Sequence, residues 1–143
     1  MKIFIKPWNE AQAEAFSIRS EVFIREQGVP AELELDAFDP LATHALAYQG
    51  EQCVGTGRLV HLGNNQAQIG RMAVLTSFRG KGVGKLILRE LIDLAKLEGL
   101  SSLILHSQLA AIPFYEKLGF KAEGPSYEEA GIAHRNMMLL LPK

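Results

Sequence analysis

The chain has 143 residues, 48% of them hydrophobic and 22% charged, with a formal net charge of −1. At about 150 residues per domain this is one soluble globular domain, residues 1–143, and it is neither disordered nor dependent on staples. The near-zero charge offers no global field toward nucleic acid or an anionic membrane, and the longest apolar run, residues 137–141, is far short of the roughly twenty residues of a membrane span.

Residues 2–6 alternate Ile3 and Ile5 with other residues and predict a short strand. Trp8, Asn9 and Gln12 supply a staple residue, an N-cap and an N3 partner for a helix over residues 10–26. Its apolar face is Ala11, Ala15, Ile18 and Val22, and Gly28-Val29-Pro30 stops it. The acidic segment that follows, through Asp39-Pro40, has no clean period and reads as a long functional loop or a short broken helix. Residues 43–48, 52–61 and 66–75 predict three strands of an antiparallel meander, with turns at Gln49-Gly50-Glu51 and Gly63-Asn64-Asn65. After a glycine cluster, Val83, Ile87, Leu91 and Leu94 form one face of a helix that ends near Gly99. A strand over 101–108 and a short helix over 110–118 come next, with Pro113 in the helix's first turn and Gly119 at its C′ position. Residues 120–126 and 132–141 close the chain as a hairpin around 128–131. This order predicts an α+β fold, a mixed and mostly antiparallel central sheet flanked by helices.

One cysteine, Cys53, excludes an internal disulfide framework and a multi-cysteine zinc site, and no metal is expected. The start MKIFIKPWNE has neither a signal h-region nor a cleavage site, so the expected location is cytoplasmic. Charge is segregated along the chain. Over residues 26–39 the charged side chains are Glu26, Glu32, Glu34, Asp36 and Asp39, all acidic; over 71–89 they are Arg71, Arg79, Lys81, Lys85 and Arg89, all basic. These are either solvated faces that cancel, or an anionic pocket for a cation beside a cationic pocket for a phosphate-bearing partner.

Arg79-Gly80-Lys81-Gly82-Val83-Gly84-Lys85 lies between a strand and a helix, where backbone N–H groups and the helix dipole can bind phosphate. A Walker A loop ends in Gly-Lys-Ser/Thr and carries an earlier glycine; here Lys85 is followed by Leu86, and Arg79 stands at the earlier position. Glycines at 80, 82 and 84 also miss the G-x-G-x-x-G dinucleotide spacing.

Arg79-x-x-Gly82-x-Gly84 resembles the acetyl-CoA loop of the GNAT superfamily of N-acetyltransferases, and Phe114-Tyr115-Glu116-Lys117-Leu118-Gly119-Phe120 resembles that family's late FYxKxGF segment. The two stand in the family's order, and the element order matches along nearly the whole chain. A narrower resemblance, to the ElaA-like branch, rests on Phe23-x-x-Glu26-Gln27, Glu34-x-Asp36, Ile69-Gly70-Arg71 and Tyr127-Glu128-x-x-Gly131-Ile132-x-His134. The resemblance implies acetyl-CoA as co-substrate, its pyrophosphate held by N–H groups of Arg79, Gly80, Lys81, Gly82, Val83 and Gly84 with Lys85 adding charge. It implies a pantetheine arm along Met72, Ala73 and Val74, Tyr115 as the acid that protonates the leaving thiolate, and Gln108, where the family often has asparagine, near coenzyme A.

The acceptor amine arrives protonated, since alkylammonium groups titrate near pKa 10, so a base is required. Glu26, Glu34, Asp36 and Asp39 are the acidic candidates; His106, on the same strand face as Gln108, and His134, on the last strand, are the imidazole candidates. His44 and His61 read as ordinary strand residues and Cys53 as a core thiol. Arg19, Phe23, Glu34-x-Asp36-x-x-Asp39 and Arg58 are also similar to residues of the acyl-homoserine-lactone synthases, which share the fold. The leading expectation is an N-acetyltransferase acting on a small-molecule or peptide amine by direct attack in a ternary complex. A non-catalytic acyl-CoA sensor and a synthase-like acyltransferase are the alternatives. Oligomeric state stays open, a homodimer being the commonest symmetric assembly.

Overall fold

In the computed structural model, which describes residues 1–142, seven strands form one sheet. They are β1 (Lys2–Pro7), β2 (Thr43–Gln49), β3 (Gln52–Gly63), β4 (Gln66–Val74), β5 (Ser102–Gln108), β6 (Lys121–Glu129) and β7 (Ile132–Leu140), in the spatial order β1-β2-β3-β4-β5-β7-β6. Every neighbouring pair is antiparallel except β4 and β5. The meander turns where glycine and asparagine allow: Asn64 and Asn65 take φ of 53° and 58°, the paired positive-φ form that matches strand twist. At the other end of the sheet, Ala130 and Gly131 take 53° and 78°. The hairpin turn is therefore these two residues and not 128–131, and Glu129 belongs to β6.

The first helix, α1 (Trp8–Arg19), begins straight after Pro7, whose φ of −71° ends β1. Asn9 lies inside the helix instead of capping it, and Trp8 packs on the Arg19 guanidinium and the His44 ring instead of forming a staple. Residues Ser20–Glu26 continue α1 as a widened π-type turn, closed by Gln27 N–H donating to the Val22 carbonyl at 3.1 Å. The acidic segment holds two single 3₁₀ turns, Ala31–Leu33 and Asp39–Leu41. The second helix, α2 (Val83–Leu97), buries Val83, Ile87, Leu88, Leu91, Ile92 and Ala95 against one face of the sheet, and α3 (Ile112–Glu116) lies beyond β5.

Two departures from regular pairing shape everything near the centre. In β4, Arg71 and Met72 together face the single residue Gly57 of β3, since Thr56 pairs with Ala73 and Arg58 with Gly70. This bulge puts Arg71 at φ 49°, a conformation that β-sheet residues other than glycine rarely adopt. The parallel pairing of β4 with β5 covers only Gln66, Ala67 and Gln68 against Ser102, Leu103 and Ile104, after which the strands separate.

Helix α2 lies close on β3 because the residues beneath it are glycines. A Cβ at Gly57 would sit 2.6 Å from Met72 Sδ and 2.9 Å from Ile87 Cγ2; one at Gly55 would sit 3.0 Å from Ile87 Cδ1. Met72 can swing away, but Ile87 is branched and locked in the helix. Gly57→Ala is expected to destabilise the fold by about 1–3 kcal/mol, as overpacking does. Thermal unfolding reads this as a drop of several degrees, and an unchanged midpoint would refute the close packing.

Candidate active site

Beyond Gln68 and Ile104, the facing edges of β4 and β5 have no partner strand on that side. The gap opens into a cavity of about 540 Å³ whose walls come from β3, β4, β5, β7, the π-type turn and the acidic segment.

At the mouth of the gap stands the N-terminus of α2. Gly82 caps it at φ 83°, and Gly80 turns the loop at φ 75°, which explains glycine at both positions. The N–H groups of Val83, Gly84 and Lys85 precede the first intrahelical acceptor, since Leu86 is the first to donate back, to Gly82 at 3.0 Å. Gly84 has ordinary helical geometry, and a Cβ there would meet Phe114 at an unremarkable 3.5 Å, so no contact within the protein demands glycine. Arg79 is committed: Nη2 donates to Glu26 Oε1 at 2.7 Å and Nε to the Val74 carbonyl at 2.9 Å. That pairing, ahead of the opposing effect of desolvation, holds the Glu26 carboxyl below its ordinary value. Lys81 and Lys85 have no carboxylate within ion-pair distance among the described residues. The donors at this helix start and these two lysines fit a phosphate-bearing group.

Tyr115, from α3, lines the cavity, and its phenol has no hydrogen-bond partner among the described residues. Burial pushes its pKa up to about 12. Gln108 reaches across the gap, its Nε2 donating to Gln27 Oε1 at 3.0 Å. His106 and His134 both line the cavity. His134 is 7% exposed, its Nδ1 lies 2.7 Å from the Ile132 carbonyl, and its ring stacks on Tyr127. A carbonyl only accepts, so that contact assigns the proton of the neutral ring to Nδ1 and leaves Nε2 as the lone-pair nitrogen.

The acidic segment is not an anionic pocket. Arg19, 0% exposed, donates to Glu34 Oε1, to the Glu34 carbonyl at 2.7 Å, and to both oxygens of Asp39 at 2.8 and 3.0 Å. Arg58 grips Asp36 through both oxygens at 2.7 and 2.8 Å and also reaches Asp39 at 2.8 Å. Arg71, aimed by its bulge, adds a bond to Asp36 at 3.1 Å. Three arginines thus neutralise Glu34, Asp36 and Asp39, and the acid and base runs of the sequence partly answer each other, through Glu26 with Arg79 and Asp36 with Arg71. Desolvation raises the Asp39 carboxyl, but hydrogen bonding and charge from Arg19, then from Arg58, outweigh it and leave it below its ordinary value. Asp36 is lowered the same way, by Arg58 and then Arg71, against desolvation. His44 lies beneath this network with Nε2 3.0 Å from the Asp39 carbonyl, and desolvation lowers its pKa.

Of the residues singled out from the sequence, Met72, Gln108, Tyr115, His106, His134 and Glu34 all meet at this cavity. Glu34 meets it with its carboxylate already taken by Arg19. Ala73, Val74 and the glycine loop lie along the adjoining β4 edge and helix start; Cys53 lies elsewhere, its thiol pKa raised by burial. Sequence reasoning missed Glu129, which the two-residue hairpin turn sets beside two histidines, its Oε1 3.0 Å from His106 Nδ1 and its Oε2 3.8 Å from His134 Nε2. It also missed the structural duty of Arg71.

A family model described as an acetyltransferase (GNAT) domain matches residues 8–141. The chain belongs to the GNAT acetyltransferase family. Like other GNAT proteins it is an acyltransferase that uses acyl-CoA and acts on amines. It is 39% identical over 139 residues to the uncharacterized N-acetyltransferase YjcF of Bacillus subtilis (strain 168), covering 96% of this chain and 99% of that one. The crystal structure of an acyl-CoA N-acyltransferase from Pseudomonas aeruginosa has a TM-score of 0.87 at 25% identity, covering 96% of this chain and 98% of that one. Escherichia coli ElaA, with a TM-score of 0.86 at 22% identity over the same shares, has the same fold. No helix among the described residues is long and apolar enough to cross a membrane.

In this GNAT chain the buried network predicts acid sensitivity of a definite sign. Asp36 and Asp39 lie below their ordinary values when folded. Their stabilisation is therefore complete above the unfolded carboxylate range, about pH 4, and is lost as pH falls through the lower folded values. Asp39→Asn leaves Arg19 and Arg58 under-paired and is expected to cost about 3–5 kcal/mol at neutral pH. Denaturant titrations from neutral pH to pH 3 should show that large loss, together with a flatter acid limb than the wild type. A neutral effect would show that the network does not hold the fold.

Proposed function

We propose that this protein transfers an acetyl group from acetyl-CoA to a primary amine, the amine attacking directly while both are bound in the one cavity. The observation that carries the reading is the convergence, where β4 leaves β5, of a free strand edge, a helix start with unpaired N–H groups, a phenol and an imidazole. Val83, Gly84 and Lys85 N–H groups, with Lys81 and Lys85, hold the pyrophosphate, and the absent side chain at Gly84 gives it room. The backbone around Met72, Ala73 and Val74 takes the pantetheine arm as an added strand and donates an N–H to the thioester oxygen, favouring the charge that builds there. Arg79 keeps the loop in place through Glu26, and Gln108 must release Gln27 to contact the cofactor.

Tyr115 is protonated at neutral pH, its pKa pushed to about 12 by burial. It donates a hydrogen bond to the leaving sulfur. Giving up its proton outright to a thiolate of ordinary pKa near 8.5 is uphill by roughly 3.5 units. The phenol therefore relays, passing its proton to sulfur as it takes one from the attacking nitrogen. His134, with the Nε2 lone pair open, is the base that neutralises the incoming ammonium, and His106 stands beside it through Glu129. Glu34 holds Arg19 and the cavity wall, its carboxylate committed to that ion pair.

Release of free thiol from acetyl-CoA with a panel of primary amines tests this reading. Turnover is expected with at least one amine, and Tyr115→Phe should lower kcat by about 10²-fold or more with the acetyl-CoA Kd unchanged. Equal turnover by the variant would remove the role from Tyr115.

A further inference from the structure

Three carboxylates line the cavity, from Glu34, Asp36 and Glu129. The first two are tied to Arg19, Arg58 and Arg71. Glu129 is different: among the described residues it has no arginine or lysine within ion-pair distance, and its partners are two imidazoles. Its Oε1 lies 3.0 Å from His106 Nδ1 and its Oε2 lies 3.8 Å from His134 Nε2. Because His134 Nδ1 donates to the Ile132 carbonyl, the neutral ring presents a bare Nε2 toward Glu129. In that neutral form two acceptors face one another across 3.8 Å. One nitrogen donor about 2.9 Å from each would satisfy both. An alkylammonium has the charge and the spare N–H groups to do so. The described residues offer no convergent metal-ligand cluster that would compete for the place.

The rest of the cavity limits what that ammonium can carry. Leu33, Phe38, Val60, Leu62 and Ile132 supply apolar wall. Arg58 and Arg71 also line it and already hold the Asp36 carboxylate, so no free carboxylate is left on that wall to pair a second ammonium on the same molecule. We propose that Glu129 and His134 form the ammonium subsite for the acceptor, and that the acceptor is a primary amine with a single positive charge and an apolar body. The proposal rests on the acetyl-CoA reading above. Docked between the two acceptors, the ammonium gives one proton to His134 Nε2, and Glu129 lies beside the imidazolium that forms. The neutral nitrogen bonds to the acyl carbon, the carbon–sulfur bond breaks with its electron pair going to sulfur, and the nitrogen's second proton reaches that sulfur through Tyr115. The products are the amide, the free thiol and a protonated His134.

The experiment measures acetyl-CoA binding by calorimetry and thiol release for wild type and Glu129→Gln, with phenylethylamine, spermidine and hydroxylamine as acceptors. The acetyl-CoA Kd reports whether the variant is folded, and hydroxylamine, uncharged at neutral pH, reports whether the effect depends on the acceptor's charge. Expected are an unchanged acetyl-CoA Kd and a loss of kcat/KM with hydroxylamine that is clearly smaller than the loss with phenylethylamine. The phenylethylamine KM should rise about 10- to 100-fold, the loss of one charged hydrogen bond. Wild type should prefer phenylethylamine to spermidine by about tenfold or more in kcat/KM. Wild type that binds and turns over acetyl-CoA, with a phenylethylamine KM indifferent to Glu129→Gln, overturns the subsite alone; a preference for spermidine overturns the acceptor class. Wild type that binds no acetyl-CoA overturns the underlying reading and the subsite with it.

Discussion

Two parallel strands that stop pairing after three residues leave two rows of backbone N–H and C=O groups without a partner strand on that side. Burying such groups without partners costs several kcal/mol, so the gap must stay wet or be filled by something that can pair with a strand. The remaining architecture keeps the gap from closing. The bulge at Arg71 bends β4, with Met72 packed over Gly57 on the α2 side, while Arg71 itself reaches across to the acidic segment. On the other side β5 is held by β7 along its whole length, from Ser102 opposite Leu140 to Gln108 opposite His134. The opening thus lies between two well-supported strands, and in the proposed reaction the cofactor and the acceptor meet in it.

The buried cluster of Arg19, Arg58 and Arg71 with Glu34, Asp36 and Asp39 is the second support. A segment with only two single 3₁₀ turns has little backbone pairing to fix it. Its carboxylates are instead clamped onto α1 and β3, and the loop becomes a cavity wall of defined shape. The cost of desolvating these charges is offset by the hydrogen bonds among them, although Arg58 Nε is buried without a partner. Neutrality has a chemical consequence as well: the wall does not attract cations, and in the proposed reaction that task passes to Glu129.

Much of this was legible in the amino-acid sequence, and the exceptions have physical reasons. The meander, the α2 face and the glycine loop were visible because period, turn residues and apolar spacing are local properties. Arg71 was read as part of the basic run and of the Ile69-Gly70-Arg71 resemblance but not as a bulge, because its positive φ is imposed by tertiary contacts; glycine is the residue that normally signals such geometry, and here it precedes the site at Gly70. Glu129 was hidden inside a hairpin turn drawn two residues too wide. The acid and base runs each looked like a surface of one sign because their pairing joins residues 35 and 53 positions apart, Asp36 with Arg71 and Glu26 with Arg79. Periodicity carries no information about such partners.

The central claim is that the gap between β4 and β5 is the acyl-CoA site, and amide hydrogen exchange with and without acetyl-CoA tests it most directly. Slowed exchange on the free edge of β4, residues 69–74, together with residues 83–85 at the start of α2, is the predicted result. Exchange unchanged at both places under saturating acetyl-CoA, or slowed only elsewhere, would contradict it.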